Sequence, residues 1–493
     1  MIDALVHAMS GVLAWQNLLA MVAGTIGGIL VGALPGLTAA MGVAVLLPLT
    51  FTMDPLVGLG MMAGVYNGAI YGGSIPAILL RIPGTPAAIA TTFDGYPMTQ
   101  QGRAGQALQV AAVSSAVGGM MSAIALIALA PPLSMVTLAF GPSEMFWVGV
   151  FGLTSISVLL GEDTIKGLIS AAIGLLIAMV GVDPMTGHER FTFGSINLVS
   201  GFNIVVLLIG LYALPPAIML AEEAVVQGID RAVLRFSGKT LPVRQLFGLW
   251  ATWLRSSIIG IIVGILPGAG GNIAAFISYN EEKRTSHDPS SFGKGNPAGV
   301  AASECANNAD NAAAMIPALT LGVPGSIVAA LIMGGLLVQG LQPGPQLFRE
   351  NPDIVYGFMI QMFLTAAMLF VFGGLVFARF FAQVLRIPRV VLMPMIIALT
   401  VIGVYVINNS TFDLYVVFGF GLLGYAMERL NIPLAPATLG LILGDMVESN
   451  LRRSLLLSQG DWTIFVSHGV SQIIIAVIVL LLAYQFFWKR ARA

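Results

Sequence analysis

Residues 28–36 read GILVGALPG and residues 260–268 read GIIVGILPG, the same residue at seven of nine positions with a constant offset of 232. Chance repetition in a glycine-rich chain gives two or three matches, so the agreement through Leu-Pro-Gly argues for an internal duplication. A second pair follows in the same order. Residues 75–85 read IPAILLRIPGT and residues 316–326 read IPALTLGVPGS, now at an offset of 241. A longer polar loop after Tyr279 takes up the difference. The pairs divide the chain into a short N-terminal surface helix (1–17), a first membrane repeat (18–225), a basic linker (226–245) and a second membrane repeat with a C-terminal transmembrane helix (246–493).

Composition sets the class. Of 493 residues, 57% are apolar and 9% charged, whereas soluble domains carry roughly 25% charged residues. Mean hydropathy is +0.91, and long uncharged runs recur from Leu18 to Leu482. A span needs about 20 apolar residues, which predicts an all-α polytopic membrane protein with about 12 transmembrane helices plus re-entrant or broken ones. Embedded segments are expected near 18–34, 37–52, 56–72, 75–92, 105–130, 133–160, 165–182 and 202–221. A second series is expected near 246–266, 269–280, 298–315, 317–338, 354–385, 390–408, 412–427, 433–447 and 463–488.

The net charge of −1 offers no bulk attraction for nucleic acid. The single cysteine, Cys305, excludes an intrachain disulfide, and His7, His188, His287 and His468 lack metal-ligand spacing. Met1 to Asn17 shows neither the basic start nor the cleavage pattern of a signal peptide. No HExxH, GxSxG or P-loop pattern occurs, which weighs against an intramembrane enzyme and an ATP-driven pump. No ring of charged residues suggests a passive channel.

Basic residues fix an orientation. Arg231, Arg235, Lys239 and Arg244 in the linker, and Lys489, Arg490 and Arg492 at the end, are expected in the cytoplasm. So is the loop Glu281 to Gly295. Between Arg244 and Glu281 lie 36 residues that must return to the same side, which predicts a re-entrant hairpin. The matching loop of the first half, Thr52 to Pro55, has no basic residue. Arg103 follows the second motif in the first half, and 335–348 is uncharged in the second. Both contrasts predict inverted halves. His188, Glu189 and Arg190 read as a solvated hairpin on the outer side, and Trp147, Trp250, Trp253, Trp462 and Trp488 as interface anchors.

The glycines at 24, 28, 32 and 36, and at 260, 264 and 268, recur every fourth residue and suit close helix packing. Pro35 and Pro267 should break their helices. A break inside a membrane must face protein or a polar cavity, and helix N-termini there offer N–H groups to an anion while freed carbonyls can hold Na⁺. A kink with no ligand is the competing reading. The candidate substrate residues are Gly36, Leu37 and Thr38 with Gly268, Ala269, Gly270, Gly271 and Asn272. The second pair adds Pro83, Gly84 and Thr85 with Pro324, Gly325 and Ser326, where Thr85 and Ser326 are expected N-caps and Pro86 a first helical residue. Arg81 either grips a carboxylate or reaches the cytoplasmic interface. Asn67, Glu304, Asn307 and Asn308 are candidate ion ligands. Asn67 stands where Asn308 stands in the second half, and Asp310 and Asn311 complete the run with no role assigned to Asp310. Capping in a polar loop is the alternative for that run.

At these motifs the chain resembles the large membrane subunit of the tripartite tricarboxylate transporter family, TctA. The resemblance is carried by GALPGLTAAMGVAVLLPLTF (32–51), YGGSIPAILLRIPGTPAAIATTFDGYPM (71–98), GILPGAGGNIAAFISYNEEKR (264–284) and FGKGNPAGVAASECANNADNAAAMIPALTLGVPGS (292–326). It implies a multi-pass carrier of the bacterial inner membrane that imports citrate or related carboxylates on a Na⁺ or proton gradient. It works with a small TctB-like membrane subunit and a periplasmic TctC-like solute-binding protein, and admits a homodimer. It implies no other cofactor. With the duplicated breaks it points to an elevator-like carrier, in which one unit moves against a scaffold. A stand-alone organic-anion carrier or channel is the alternative.

Overall fold

The computed structural model describes residues 2–34, 36–159, 164–183, 185–227, 240–373, 380 and 389–490. Proline and glycine cut the apolar runs into helices of unequal length. From the N-terminus these are α1 (Ile2–Val12), α2 (Trp15–Ala33), α3 (Ala39–Thr50), α4 (Pro55–Gly72), the two-turn α5 (Ser74–Leu80), α6 (Ile89–Gln100), α7 (Ala104–Thr137), α8 (Pro142–Leu159), α9 (Thr164–Ala178) and α10 (Ile204–Gln227). A two-stranded antiparallel hairpin, β1 (Gly181–Val182) and β2 (Glu189–Arg190), separates α9 from α10, with Gly181 opposite Arg190.

The series resumes with α11 (Val243–Phe247), α12 (Trp250–Ile265), α13 (Gly270–Thr285), α14 (Pro297–Ala313), α15 (Met315–Leu321), α16 (Ile327–Val338), α17 (Leu347–Glu350) and α18 (Pro352–Phe372). It ends with α19 (Arg389–Asn408), α20 (Thr411–Arg429), α21 (Leu434–Leu457), α22 (Ile464–Ser467) and α23 (Gly469–Arg490). Among the described residues, four helices are long and apolar enough to cross a membrane: Trp15–Ala33, Ala104–Thr137, Ile204–Glu222 and Pro352–Phe372. Shorter apolar helices accompany them, and three of these, Ala39–Thr50, Trp250–Ile265 and Ile327–Val338, begin or end at the Pro-Gly breaks.

The glycine faces are packing faces. α2 lies on α4 so closely that a Cβ on Gly28 would stand 2.4 Å from the Val65 carbonyl oxygen, and one on Gly32 2.1 Å from that of Ala69. α12 lies on α14 in the same way, with Gly260 against the Ala306 carbonyl and Gly264 against Asp310. The starts of the partner helices match as well. Asp54 accepts the Leu56 N–H with Pro55 as the first residue of α4, and Asn296 accepts the Ala298 N–H with Pro297 as the first residue of α14.

Long helices then cross over. α7 packs on α14, where Gly118 abuts the Cys305 carbonyl, and α18 packs on α4, where Gln361 donates to the Leu56 carbonyl at 2.8 Å. α10 packs on α20 and α9 on α21, with Tyr212 bonded to Thr438 at 2.7 Å, and α10 also packs on α3 and α16 within one continuous core.

Several expectations change in detail. α7 continues from 104 to 137 through Pro131 and Pro132, where two segments, 105–130 and 133–160, were expected, and α8 starts only at Pro142. The hairpin between Arg244 and Glu281 returns on itself: Thr252 near the start of α12 donates to Glu282 near the end of α13 at 2.9 Å, and Arg255 pairs with Glu282 at 3.0 Å. The expected C-terminal segment 463–488 is divided at His468 into α22 and α23. Trp253 is not an interface anchor. It is buried and donates to Ser114 at 2.8 Å, because α7 covers that face of α12. The expected linker charges Arg231, Arg235 and Lys239, the break residue Pro35 and the terminal Arg492 lie outside the described residues.

Candidate functional site

The two copies of the second motif fold into the same turn. α5 ends on Arg81 and α15 on Gly322, both left-handed, at φ 60° and 72°. The Ile82 N–H then reaches the Pro76 carbonyl at 3.3 Å and the Val323 N–H the Pro317 carbonyl at 3.2 Å. The Gly84 N–H bonds to the Gly73 carbonyl at 3.2 Å and the Gly325 N–H to the Ala314 carbonyl at 3.1 Å. Each tip sits against the glycine face of its own hairpin, Gly84 on Gly32 and Gly325 on Gly264. The first-motif breaks also match, with Gly36 at φ 92° and Gly268 at φ 85°, a region open to glycine. Gly268 donates to the Gly325 carbonyl at 3.0 Å and so ties the two motifs together.

Side chains make the two turns different. Ser326 caps α16 by accepting the Ala329 N–H at 3.1 Å and also meets the Tyr66 hydroxyl at 3.1 Å. Thr85 does not act as the expected cap. Its buried hydroxyl has no partner, and the chain leaves it through a 3-10 turn, Pro86–Ala88, that packs on α13 and α14. Thr38 does cap α3, accepting the Met41 N–H at 3.2 Å. Arg81 is exposed, with its guanidinium 5.9 Å from the centre of the Tyr96 ring.

The predicted residues gather unevenly. Gly268 to Gly271, Pro324 to Ser326 and Asn307 converge where α12 breaks, with Gly271 against the Asn307 amide and Asn272 exposed. Gly36 and Leu37 stand apart from them. Leu37 packs with Ala217, Leu220 and Ile396, so the first Leu-Pro-Gly tip leans on α10 and α19.

The asparagine run is not a polar loop. It lies inside α14, and Glu304, Asn307, Asn308, Asp310 and Asn311 are all buried. Glu304 accepts from Thr91 at 2.5 Å and from Ser115 at 3.1 Å. Asn67 is fully engaged: its amide donates to the Met362 carbonyl at 3.2 Å and to Thr365 at 2.9 Å, and its oxygen accepts from Asn311 at 2.9 Å. Asp310 lies beside Gly264 and faces the Gly271 N–H at the start of α13. Tyr66, Ser115 and Thr365 lie outside the quoted motifs, and no spacing along the chain pairs them or Thr91 with the run.

A cavity of about 1050 Å³ opens beside this centre. Leu321 and Gly322 of the second turn line it, together with Thr137, Arg190, Ile204, Gln342, Asp445 and Arg453. Arg190 is not a loosely solvated loop residue. It pairs with Glu448 at 2.6 Å and Asp183 at 3.7 Å, while Arg452 holds Asp183 at 2.6 Å. The Met185 N–H and then Arg452 keep the Asp183 carboxyl well below the usual carboxylate range. α10 begins at this cavity and extends about 36 Å over its 24 residues.

Residues 18–439 match the model of the family described as "Tripartite tricarboxylate transporter TctA family". The chain is 39% identical over 465 residues to an uncharacterized 52.8 kDa protein of the TAR-I ttuC' 3' region of Agrobacterium vitis, covering 92% of this chain and 90% of that one. It is 40% identical over 212 residues to a protein of the TAR-II ttuC' 3' region of the same organism, covering 43% of this chain and 87% of that one. No solved structure matches. Spanning-length apolar helices and a match over most of its length leave one conclusion: this multi-pass membrane protein belongs to the tripartite tricarboxylate transporter TctA family.

Proposed function

We propose that the chain is the large permease subunit of a binding-protein-dependent tripartite carrier of the bacterial inner membrane. It moves tricarboxylates or related small carboxylates by alternating access, driven by an ion gradient, Na⁺ first. A small TctB-like membrane subunit and a periplasmic TctC-like binding protein complete the system, and the family match supports both. The observation that carries the reading is the pair of broken hairpins, alike in backbone, around buried polar atoms that no protein group satisfies: Thr85, Asn307, Asn308, Asp310 and Asn311. Buried polar atoms without partners are costly, and a transported solute and its ion supply what they lack. Backbone N–H groups at the starts of α13 and α16 suit a carboxylate.

Opposed halves, 18–225 and 246–493, are favoured by a reciprocal contact. Gln101 after α6 donates to the Lys294 carbonyl after α13 at 2.7 Å, and Gln339 after α16 reaches the Thr50 carbonyl at the end of α3 at 3.4 Å. Each second motif thus ends on the first hairpin of the other half. The hairpin units packing beside α8–α10 and α19–α21 suit an elevator-like movement. Replacing Ser326 or Thr85 by Trp, in protein that still inserts, should abolish uptake of the carboxylate retained by the cognate binding protein. Undiminished uptake would remove the paired turns from the transport path.

A further inference from the structure

The unpartnered atoms around α14 are not a random set. Asn308 donates its amide nitrogen to the Glu304 carbonyl at 3.0 Å, and Asn311 donates its own to the Asn67 oxygen at 2.9 Å. These bonds fix which end of each amide is oxygen, since the nitrogen must face the acceptor. The open atoms of Asn308, Asn311 and Asp310 are therefore acceptors, the two amide oxygens and one carboxylate oxygen, while the Thr85 hydroxyl can donate or accept. Asn307 alone leaves both an oxygen and a nitrogen open.

On a helix of 3.6 residues per turn, Asp310 and Asn307 lie about 60° apart on one side of α14, whereas Asn311 lies about 100° and Asn308 about 160° from Asp310. Asp310 and Asn307 then point toward the glycines of the neighbouring hairpin. The Asp310 oxygen would lie 3.0 Å from a Cβ on Gly264, and the Asn307 oxygen 2.4 Å from one on Gly271. Only glycine leaves room there. Among the described residues no group of three or more His, Cys, Asp or Glu side chains assembles, so the cluster has hard oxygen donors and one formal negative charge.

We propose that Asp310 is the anchoring ligand of a monovalent cation site, with Na⁺ as the fitting ion and the Asn307 oxygen as its neighbour. Oxygen donors select a hard cation over a soft one. A single carboxylate neutralises one charge, whereas divalent ions are held by more. The position also gives the site a purpose, which rests on the carrier reading above. The carboxylate faces the Gly271 N–H, one of the donors offered to an anionic solute. An uncompensated Asp310 repels that solute and competes for its donor, and a bound Na⁺ removes the repulsion. Occupancy by cation and anion is thereby coupled. The equivalent position of the first half, 241 residues earlier, is Ala69, so only the second half is equipped for it.

Binding of ²²Na⁺ to the purified full-length chain in detergent tests the site without solute or binding protein. Wild type should bind saturably, and Asp310→Asn should weaken binding at least tenfold. Asp310→Glu should retain part of it, and Asp288→Asn, in an exposed loop, should match wild type. Should Asp310→Asn fail to elute as wild type does, Asn307→Ala and Asp310→Glu decide, since both must lower the affinity. Unchanged affinity in the 310 variants, or no saturable binding by wild type, overturns the proposal and leaves Asp310 as a partner of the solute itself. Uptake lost in the tryptophan variants while ²²Na⁺ binding persists would separate the two readings.

Discussion

Two turns of one backbone, Gly73 to Ile89 and Ala314 to Ile327, hold different chemistry. Both make the same two backbone bonds, and both rest a glycine on the glycine of a preceding helix. Yet Arg81 faces solvent where Gly322 lines a cavity, and Thr85 is unpartnered where Ser326 is bonded twice. Asp310 stands where the first copy has Ala69. Duplication preserved what the backbone requires, close approach and left-handed ends, and left the side chains that meet a solute free to diverge.

The shared frame should break first. Gly32→Val places a side chain against the Ala69 carbonyl, a backbone atom that cannot give way. Overpacking of this kind costs about 1–3 kcal/mol and occasionally more, and here it separates α2 from α4. The expected outcome is loss of monodisperse protein on size exclusion. Gly264→Val should be milder, because a Cβ there would stand 2.8 Å from the Ala313 Cβ and 2.9 Å from the Asp310 carbonyl, against 2.1 Å at Gly32. Equal damage at both positions would mean that the two hairpins are more alike than their packing suggests.

The divergent side chains come next. Ser326→Ala removes a cap, a loss of about 1 kcal/mol, and frees the Tyr66 hydroxyl; a melting temperature lowered by a few degrees is expected. Thr85→Val removes a buried hydroxyl that has no partner, which relieves a desolvation cost. Its melting temperature should hold or rise while uptake falls. That split between stability and transport is what a residue kept for a solute produces. A fall in melting temperature with uptake intact would make Thr85 structural.

Much of the frame was legible in the sequence because it depends on residues with few backbone options. Pro and Gly at 267–268, 83–84 and 324–325 marked the breaks, and the four-residue glycine spacing marked the faces of α2 and α12. The asparagine run was visible as polar residues in an apolar chain. Its burial was not, since that depends on α7 and α6 bringing Ser115 and Thr91 to Glu304 from 189 and 213 residues away. The role of Asn67 was hidden for the same reason, because its partners Thr365 and Asn311 belong to the other half. Arg190 reads as a loop charge until α21 supplies Glu448 from 258 residues away.

A smaller contrast concerns the two left-handed ends. Arg81→Gly should stabilise slightly, since a left-handed non-glycine residue costs roughly 1–2 kcal/mol, and Gly322→Ala should destabilise by about as much. Thermal unfolding of the pair measures the difference directly. If Arg81 grips solute, Arg81→Gly also lowers uptake; unchanged uptake assigns it to the exposed face beside Tyr96.

The smallest effect belongs to the cavity rim. The folded state holds Asp183 deprotonated below the usual carboxylate range, chiefly through the Met185 N–H and then Arg452. A depressed carboxyl contributes stability that is complete above its unfolded pKa and is lost as pH falls through the folded one. The hairpin should therefore stay ordered through mildly acidic conditions and loosen only well below pH 4, the ordinary range of an aspartate being about 3.9. Arg452→Gln removes one of the two main causes of the depression and leaves the backbone N–H in place. The acid transition, followed by protease cleavage between Asp183 and Arg190, should then move upward without reaching the value of a free aspartate. No movement would mean that the turn backbone holds Asp183 alone, and that Arg452 serves Glu448, which it meets at 2.8 Å.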